Sequence, residues 1–518
     1  MPPQDSRSPQ HLKPSAVRYL AFEGGGAKGI AYIGALAALE ALEIRLRSGS
    51  SGSVRGVSGA SAGAMTTFMY AMGFTPFQLL DLQMAPKAFT RFFEAPQINS
   101  IRVVNRQGYA AGHQMVRFVK AGPYHNPITV SEKATKARVI ALSFFPFDSQ
   151  TPPPSILSRL NPFYESFTAA KVLGKQLGNG LLFKLLRRKL QDVSKKNSEL
   201  APLIDAVTAT EGSFGEYCYS LLFDLGLFTG VEVRRFLKDQ LEFYLSRKSS
   251  SSASGLSASP LRSADVDRWS VGQFAGDTGV EVAFAATNLT TGLGTYFRAA
   301  RDKDFPNDTS DFPVLDAVAI SSAFPFAFKP YAVFDRKNVP NGYWTDGGVQ
   351  NNLPLHAFDS SADTPLAPGM LGIRLEASSQ IVQEFVEDLK SLVDVSVPGF
   401  LLSYVSSLLS TAMYPTEGGQ IRTPQEKAQT VEIKIPAEVL STLSFAPKRA
   451  NAERAILIAF DAVAKYFVPG FDADRLPDAA GVSAEEKSLL LARSNLRSSF
   501  NWVGSGLSGF PRYILEDS

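Results

Sequence analysis

Cysteine and histidine are scarce in this chain: one of the first and four of the second among 518 residues. A single cysteine, Cys218, excludes an intramolecular disulfide framework, so the fold cannot depend on an oxidising compartment. In "GEYCYSLLF" it reads as a small core residue rather than a nucleophile. Excess charge is missing too. The 52 Lys and Arg against 49 Asp and Glu leave +3, too little to argue for nucleic acid, and no nucleic-acid partner is expected. The N-terminal "MPPQDSRSPQHLKPSAV" lacks the apolar core of a secretory signal and reads over residues 1–16 as a flexible polar tail. The longest uncharged stretch, Ser396 to Thr416, approaches the length of a membrane span but carries Pro398, Pro415 and several serines. A buried or interfacial helix is the better reading. The expected location is cytoplasmic or peripheral to a membrane, with secretion without a cleaved signal left open.

What is present describes a globular α/β protein. Hydrophobic residues make up 45% and charged residues 19%, the balance of a chain that buries a large core, and the length suggests two to four units. A short apolar run, Val17 to Phe22, leads into a glycine loop and then the small-residue helix "IAYIGALAALEALE". A second such unit follows, with "SVRGVSG" as a buried strand and "SAGAMTTFMYAMG" as a helix ended by Gly73. Repeated strand-loop-helix units favour a sheet with helices on its faces.

Residues 86–222 lose this pattern and read as a helical insertion or cap. Regularity returns in "GVEVRRFLKDQLEFYLSR", which has helical periodicity. Nine serines in the eighteen positions 246–263 suggest a flexible loop. "VEVAFAATNL", "GMLGIRL" and "QTVEIKIP" follow as strands, "PVLDAVAISSAF" and "RANAERAILIAFDAVAKYF" as helices, and residues 469–518 as a C-terminal extension.

The glycine loop, "LAFEGGGAKGIAY", fits the G-x-G-x-x-G spacing at Gly24, Gly26 and Gly29. A dinucleotide site also needs an acidic residue about 20 positions on, at the end of the next strand. Glu40 and Glu43 still lie in the helical pattern, and the next acidic residue is Asp81. A phosphate-binding Walker loop fails as well, because Ile30 and Ala31 follow Gly29. What remains is a sharp turn whose free N–H groups, at a helix start, face negative charge. That charge can be an oxyanion, which calls for a nucleophile.

Gly59-Ala60-Ser61-Ala62-Gly63 supplies one, as a G-x-S-x-G elbow between a strand and a helix. The pattern alone is weak; its strand-turn-helix placement carries the argument. A serine needs a base, ordinarily histidine. His11 lies in the tail, His113 and His125 in the insertion, and His356 in a late loop. The other candidate is Asp346 in "WTDGGVQNN", where Gly347 and Gly348 permit a tight turn that exposes the carboxylate. Ser58, Ser321 and Ser322 compete with Ser61 and read as structural.

The blocks together resemble the patatin-like phospholipase family. "FEGGGAKGIAYIGAL" is similar to its oxyanion-hole block, "GVSGASAGAM" to its nucleophile block, "AVAISSAFPFAFKPY" and "YWTDGGVQNNLP" to the blocks around its aspartate, with "GLFTGVEVRRFL" and "AATNLTTG" between them in order. The similarity covers about 17–85 and 223–375, fading toward 468. It implies a three-layer α/β/α fold with a central mostly parallel sheet, its core divided into 17–85 and 223–468. It also implies a Ser61–Asp346 dyad in which Ser61 attacks an ester carbonyl and Asp346 takes its proton. Gly24, Gly25 and Gly26 would form the oxyanion hole, with Lys28, Gly29, Gly59, Gly63, Gly347 and Gly348 supporting the loops. No cofactor or metal is implied. A dyad needs a desolvated aspartate, raised above its usual pKa. The substrate implied is a phospholipid or lysophospholipid ester.

Three alternatives stand beside this reading: an α/β-hydrolase triad of Ser61, an acid and His356; a lipid-binding protein with an inactive site; and a secreted lipase that stays silent until a protein activator orders its cap. Docking on lipid is expected from "LLFKLLRRKLQDVSKK", residues 181–196, where leucines share one helical face. Lys184, Arg187, Arg188 and Lys189 contribute to a local charge of about +5. An ordinary surface helix with solvated lysines is the competing reading. Oligomeric state is not legible.

Overall fold

The computed structural model describes residues 11–47, 52–85, 88–95, 101–105, 116–119, 201–210, 226–251, 269–289, 293–299, 309–334, 340–359, 366–376, 423–436, 438–440 and 444–501, with parts of 187–195 and 214–221 and residues 266, 267 and 421. Cys218, His113, His125, Lys184, Lys189 and the stretch 396–416 lie outside the described residues.

Twelve strands are described: β1 (Tyr19–Phe22), β2 (Gly56–Gly59), β3 (Ile101–Asn105), β4 (Val116–Val119), β5 (Gly226–Phe228), β6 (Glu281–Asn288), β7 (Leu293–Arg298), β8 (Phe326–Phe328), β9 (Tyr331–Phe334), β10 (Pro340–Asp346), β11 (Met370–Glu376) and β12 (Thr430–Lys434). Ten of them form one sheet in the order β12-β11-β1-β2-β6-β10-β9-β3-β4, with β7 also on β6; β5 and β8 pair separately. From β12 through β6 every pairing is parallel. That half reads as near-continuous apolar runs because both faces are buried, one against helices and the other against Leu353, Leu355, Ala357, Phe358, Leu366 and Ala367. Tyr19–Phe22 is buried throughout and Glu281–Asn288 nearly so.

The helices are α1 (Tyr32–Ala41), α2 (Ala62–Ala71), α3 (Pro76–Gln83), α4 (Ala201–Thr208), α5 (Val231–Ser251), α6 (Val271–Thr278), α7 (Val314–Ser321), α8 (Pro424–Ala428), α9 (Arg449–Phe467) and α10 (Ala484–Ser499). α1 is apolar on all sides, as a helix buried between sheet and helices must be. Its approach to α9 is so close that a Cβ at Gly34 would overlap the carbonyl of Ile456. α10, in the C-terminal extension, packs on α1 and α9. Arg493 reaches Asp461 with both Nε (2.6 Å) and Nη2 (3.0 Å), and the Ser488 hydroxyl donates to the Ala41 carbonyl.

Three expectations need correction. The segment 86–222, read as a helical insertion, also contributes β3 and β4 to the main sheet, β3 lying parallel to β9. Strands of five and four residues carry too little periodicity to stand out among apolar and basic segments. The serine-rich stretch does not begin as a loop: α5 runs on to Ser251. Serine is only a moderately poor helix former, and Lys248 near the helix end holds Asp277 and the Asp277 carbonyl. The tail is docked at its end: the Leu12 N–H donates to the Tyr466 hydroxyl at 3.2 Å, and the His11 ring meets the Tyr466 ring edge-on.

Candidate active site

The nucleophile candidate sits where β2 gives way to α2. Ser61 has φ +52°, a left-handed conformation that costs a non-glycine residue of the order of 1 kcal/mol or more and persists only when its surroundings enforce it. Here they do. The Ser61 N–H donates to the Ser321 carbonyl (3.0 Å) and hydroxyl (3.3 Å), while the Ser322 hydroxyl donates to the Ser61 carbonyl (3.2 Å). The elbow also needs space. A Cβ at Gly63 would strike the carbonyl oxygen of Phe22, and one at Gly59 the carbonyl oxygen of Gly63.

Asp346 arrives from the opposite direction. β7 occupies one edge of β6 across residues 283–288, so β2 and β10, whose registers overlap that span, must share the other edge. β2 runs up that edge and ends with Gly59 opposite Phe284; β10 runs down it and ends with Asp346 opposite Ala286. Two strand ends thus meet head to head across two residues of β6, bringing together side chains 285 positions apart in sequence. The same three residues at the end of α7 hold both. Beyond the bonds of Ser321 and Ser322 to the elbow, the Ala323 carbonyl accepts from the Asp346 N–H (3.1 Å) and the Thr345 hydroxyl (2.6 Å). Ser58, by contrast, ties β2 to the Leu20 and Pro354 carbonyls.

Asp346 is 2% exposed. Its Oδ1 accepts the Gly348 N–H at 2.7 Å, whereas Oδ2 is buried without a hydrogen bond of ordinary geometry. Burial pushes the carboxyl up to about 7, against the lowering effect of the Gly348 N–H and the nearby Ser61 hydroxyl. The two observations describe a serine close enough to stabilise the carboxylate but not closed onto it. Catalytic hydrogen bonds commonly tighten only when substrate is bound. Gly347 lets the turn pass β6, since a Cβ there would hit the Ala285 carbonyl.

The glycine loop lies on the other side of Ser61: a Cβ on Gly24 would stand 3.0 Å from the Ser61 Cβ. Gly24 itself is not a free donor, which corrects its assignment to the oxyanion hole. Its N–H is spent on the Asn352 carbonyl at 2.9 Å. The N–H groups of Gly25 and Gly26, at the start of the 3-10 turn Gly26–Ala31, have no acceptor among the described residues, and neither does that of Ala62, the residue after the nucleophile. Strand-end donors of this kind are what a tetrahedral oxyanion requires. Gly29 lets the turn approach α2, where a Cβ would stand 2.7 Å from the Ala62 Cβ.

Lys28 is buried rather than solvated. It lies near Glu23, whose carboxyl burial raises to about 7 against the pull of Arg374, the Leu375 N–H, Asn352 and Lys28. Glu23 and Asn352 were missed in the sequence. Glu23 adjoins the glycine loop and Asn352 closes "GGVQNN", but nothing in the pattern says that the two meet.

His356 does not belong to this site. Its Nδ1 faces Asp359 at 2.6 Å and its Nε2 faces Glu426 at 3.2 Å, so both ring nitrogens are engaged with carboxylates and the triad alternative loses its base. The hydrogen bond to Asp359 raises its pKa. Of the expected membrane contacts, Arg188 is exposed, but Arg187 is turned inward: its Nε and Nη2 donate to the Thr208 and Ala209 carbonyls at the end of α4 (2.8 and 3.1 Å). Orphan carbonyls at a helix C-terminus draw a cation of this kind. No described helix is long and apolar enough to cross a membrane, and no cluster of metal-ligand side chains is found among the described residues.

Residues 20–359 match a sequence model described as patatin-like phospholipase. No curated protein matches the chain. Among solved structures, VipD from Legionella pneumophila is 16% identical, with a TM-score of 0.37 over 96% of this chain and 79% of that one. The complex of SpcU with ExoU, from the type III secretion system of Pseudomonas aeruginosa, gives 15% identity and a TM-score of 0.25 over 97% of this chain and 73% of that one.

Proposed function

Because the chain belongs to the patatin-like phospholipase family, whose name implies lipid acyl-ester hydrolysis, we propose that it cleaves fatty-acyl esters of phospholipids or lysophospholipids with a dyad of Ser61 and Asp346. The observation that carries this reading is the head-to-head meeting of β2 and β10 on β6, which sets a strained serine beside a desolvated carboxylate.

The Ser61 Oγ attacks the ester carbonyl carbon while its proton passes to Asp346. The carbonyl oxygen becomes an oxyanion facing the N–H groups of Gly25, Gly26 and Ala62. Collapse expels the alcohol, which takes the proton back from Asp346 and leaves the acyl chain on Ser61. A water molecule then repeats the sequence: it gives a proton to Asp346, attacks the acyl-enzyme, and Ser61 leaves with that proton as the fatty acid departs. A carboxylate with a pKa near 4 would be a feeble base at neutral pH, and the rise to about 7 brings Asp346 into the working range. No step asks for a cofactor. The protein would work at the surface of a lipid aggregate, without spanning it.

The test is release of fatty acid from mixed phospholipid and lysophospholipid micelles by wild type, Ser61→Ala and Asp346→Asn. Loss in both variants is the expected result; survival of activity in Ser61→Ala would sink the reading. If the wild type is silent, addition of eukaryotic cell extract tests for a protein activator.

A further inference from the structure

Asn352 touches both loops of the site. Its backbone carbonyl accepts the Gly24 N–H (2.9 Å) and its side-chain Nδ2 donates to the Gly24 carbonyl (3.0 Å). Its Oδ1 lies against the Asp346 loop, where a Cβ on Gly348 would stand only 2.6 Å away. The Gly347 carbonyl accepts the N–H groups of Gln350 and Asn351 (3.1 and 2.8 Å), a compact turn that returns the chain over Asp346. Behind Gly24, Glu23 is fixed by the Leu375 N–H on its Oε2 (2.7 Å) and by the Tyr32 hydroxyl on its carbonyl.

The bond from Nδ2 has a directional consequence. The Gly24 carbonyl and the Gly25 N–H belong to one peptide unit, which is planar and trans, so the two groups point in opposite directions. Holding that carbonyl toward Asn352 aims the Gly25 N–H away from Asn352. A glycine-glycine peptide is otherwise the freest in the chain to rotate. We propose that Asn352 is a positioning residue that orients the Gly24–Gly25 peptide, so that the Gly25 N–H is aimed at the oxyanion and the donor loop stays in register with the Asp346 loop. The inference rests on the Ser61–Asp346 reading and adds to it a residue that touches no reacting atom.

The experiment compares wild type, Asn352→Ala, Asn352→Asp and Ser61→Ala in two assays: hydrolysis, for kcat and KM, and the rate at which a fluorophosphonate labels Ser61 by displacement of fluoride. The phosphoryl oxygen of that probe takes the oxyanion's place, so labelling reports the hole even if hydrolysis is slow. Misaiming one donor should cost about 100-fold in kcat and in labelling rate, with KM within about threefold and the final labelled fraction unchanged. Asn352→Asp keeps the side chain's size but loses the donor, and guards against misfolding of the alanine variant. A lower melting temperature with unchanged turnover per labelled serine, or a rise in KM alone, would overturn the inference. If Ser61→Ala is dead and both Asn352 variants keep wild-type rates, the dyad stands and Asn352 has no such role; if Ser61→Ala retains activity, the dyad itself fails.

Discussion

The two halves of the site are held in unlike ways. On the Ser61 side, cost is stored in the backbone: a left-handed serine, two glycines with no room for a Cβ, and three hydrogen bonds to Ser321 and Ser322. On the Asp346 side Gly347 likewise has no room for a Cβ, but Asp346 itself has no positive φ and its cost is electrostatic, a residue 2% exposed whose Oδ2 is unpaired. A strained nucleophile is presented whatever the pH. A buried base is present only when the solution deprotonates it.

The largest effect should come from removing either reactive group. Ser61→Ala and Asp346→Asn are each expected to lower kcat at least 10⁴-fold in fatty-acid release, and the double variant no further, because groups acting as a unit are not additive. A smaller but still large loss attends Gly63→Ala, whose new Cβ meets the Phe22 carbonyl. Overpacking of this kind costs about 1–3 kcal/mol, and chemical denaturation should register it while fluorophosphonate labelling falls with the displaced elbow. On the other side, Asp346→Asn should raise stability at neutral pH while still abolishing turnover.

The Asp346 carboxyl titrates at about 7 in the folded chain against 3.8 as an isolated group. The folded state therefore binds more protons between those values, and the contribution to stability is present below about 4 and lost as pH rises through 7. Asp346→Asn should match the wild type in thermal melting at pH 4 and exceed it at pH 8, by no more than about 4 kcal/mol. Over the same window kcat/KM of the wild type should fall about tenfold per pH unit below 7, because the protonated acid cannot act as base; a rate independent of pH down to 4 would contradict a raised base. The smallest expected change is that of His356→Ala. With both ring nitrogens committed to Asp359 and Glu426, its loss should leave kcat within about threefold and shift only stability.

This contrast tracks what the sequence disclosed. The Ser61 half is local: β1, the glycine loop, α1, β2 and α2 follow one another, and period and glycine spacing suffice to place them. The Asp346 half is assembled at long range. That β10 would run antiparallel into the end of β2 depends on β7 having taken the other edge of β6, which no local pattern states. The strand β10 was nonetheless traceable as a motif through "YWTDGG". Asn352 and the engagement of the Gly24 N–H were not, because a hydrogen bond between residues 328 positions apart leaves no periodic trace. Charge misled in one place: Arg187, counted toward a lipid-facing surface, satisfies helix-end carbonyls instead. Composition gives the number of cations and not their direction.

β6 works as a ruler for the reaction. The gap between nucleophile and base is set by a two-residue interval on its edge, Phe284 to Ala286, and not by the length of chain joining α2 to β10. Closing a longer connection costs little, about 0.6 kcal/mol for each doubling, so the loops between the strands can grow or shrink while the chemistry keeps its spacing. Adding one residue inside β6 would do what a hundred outside it would not: the register would slip by one, the faces would invert, and two intact catalytic loops would no longer meet.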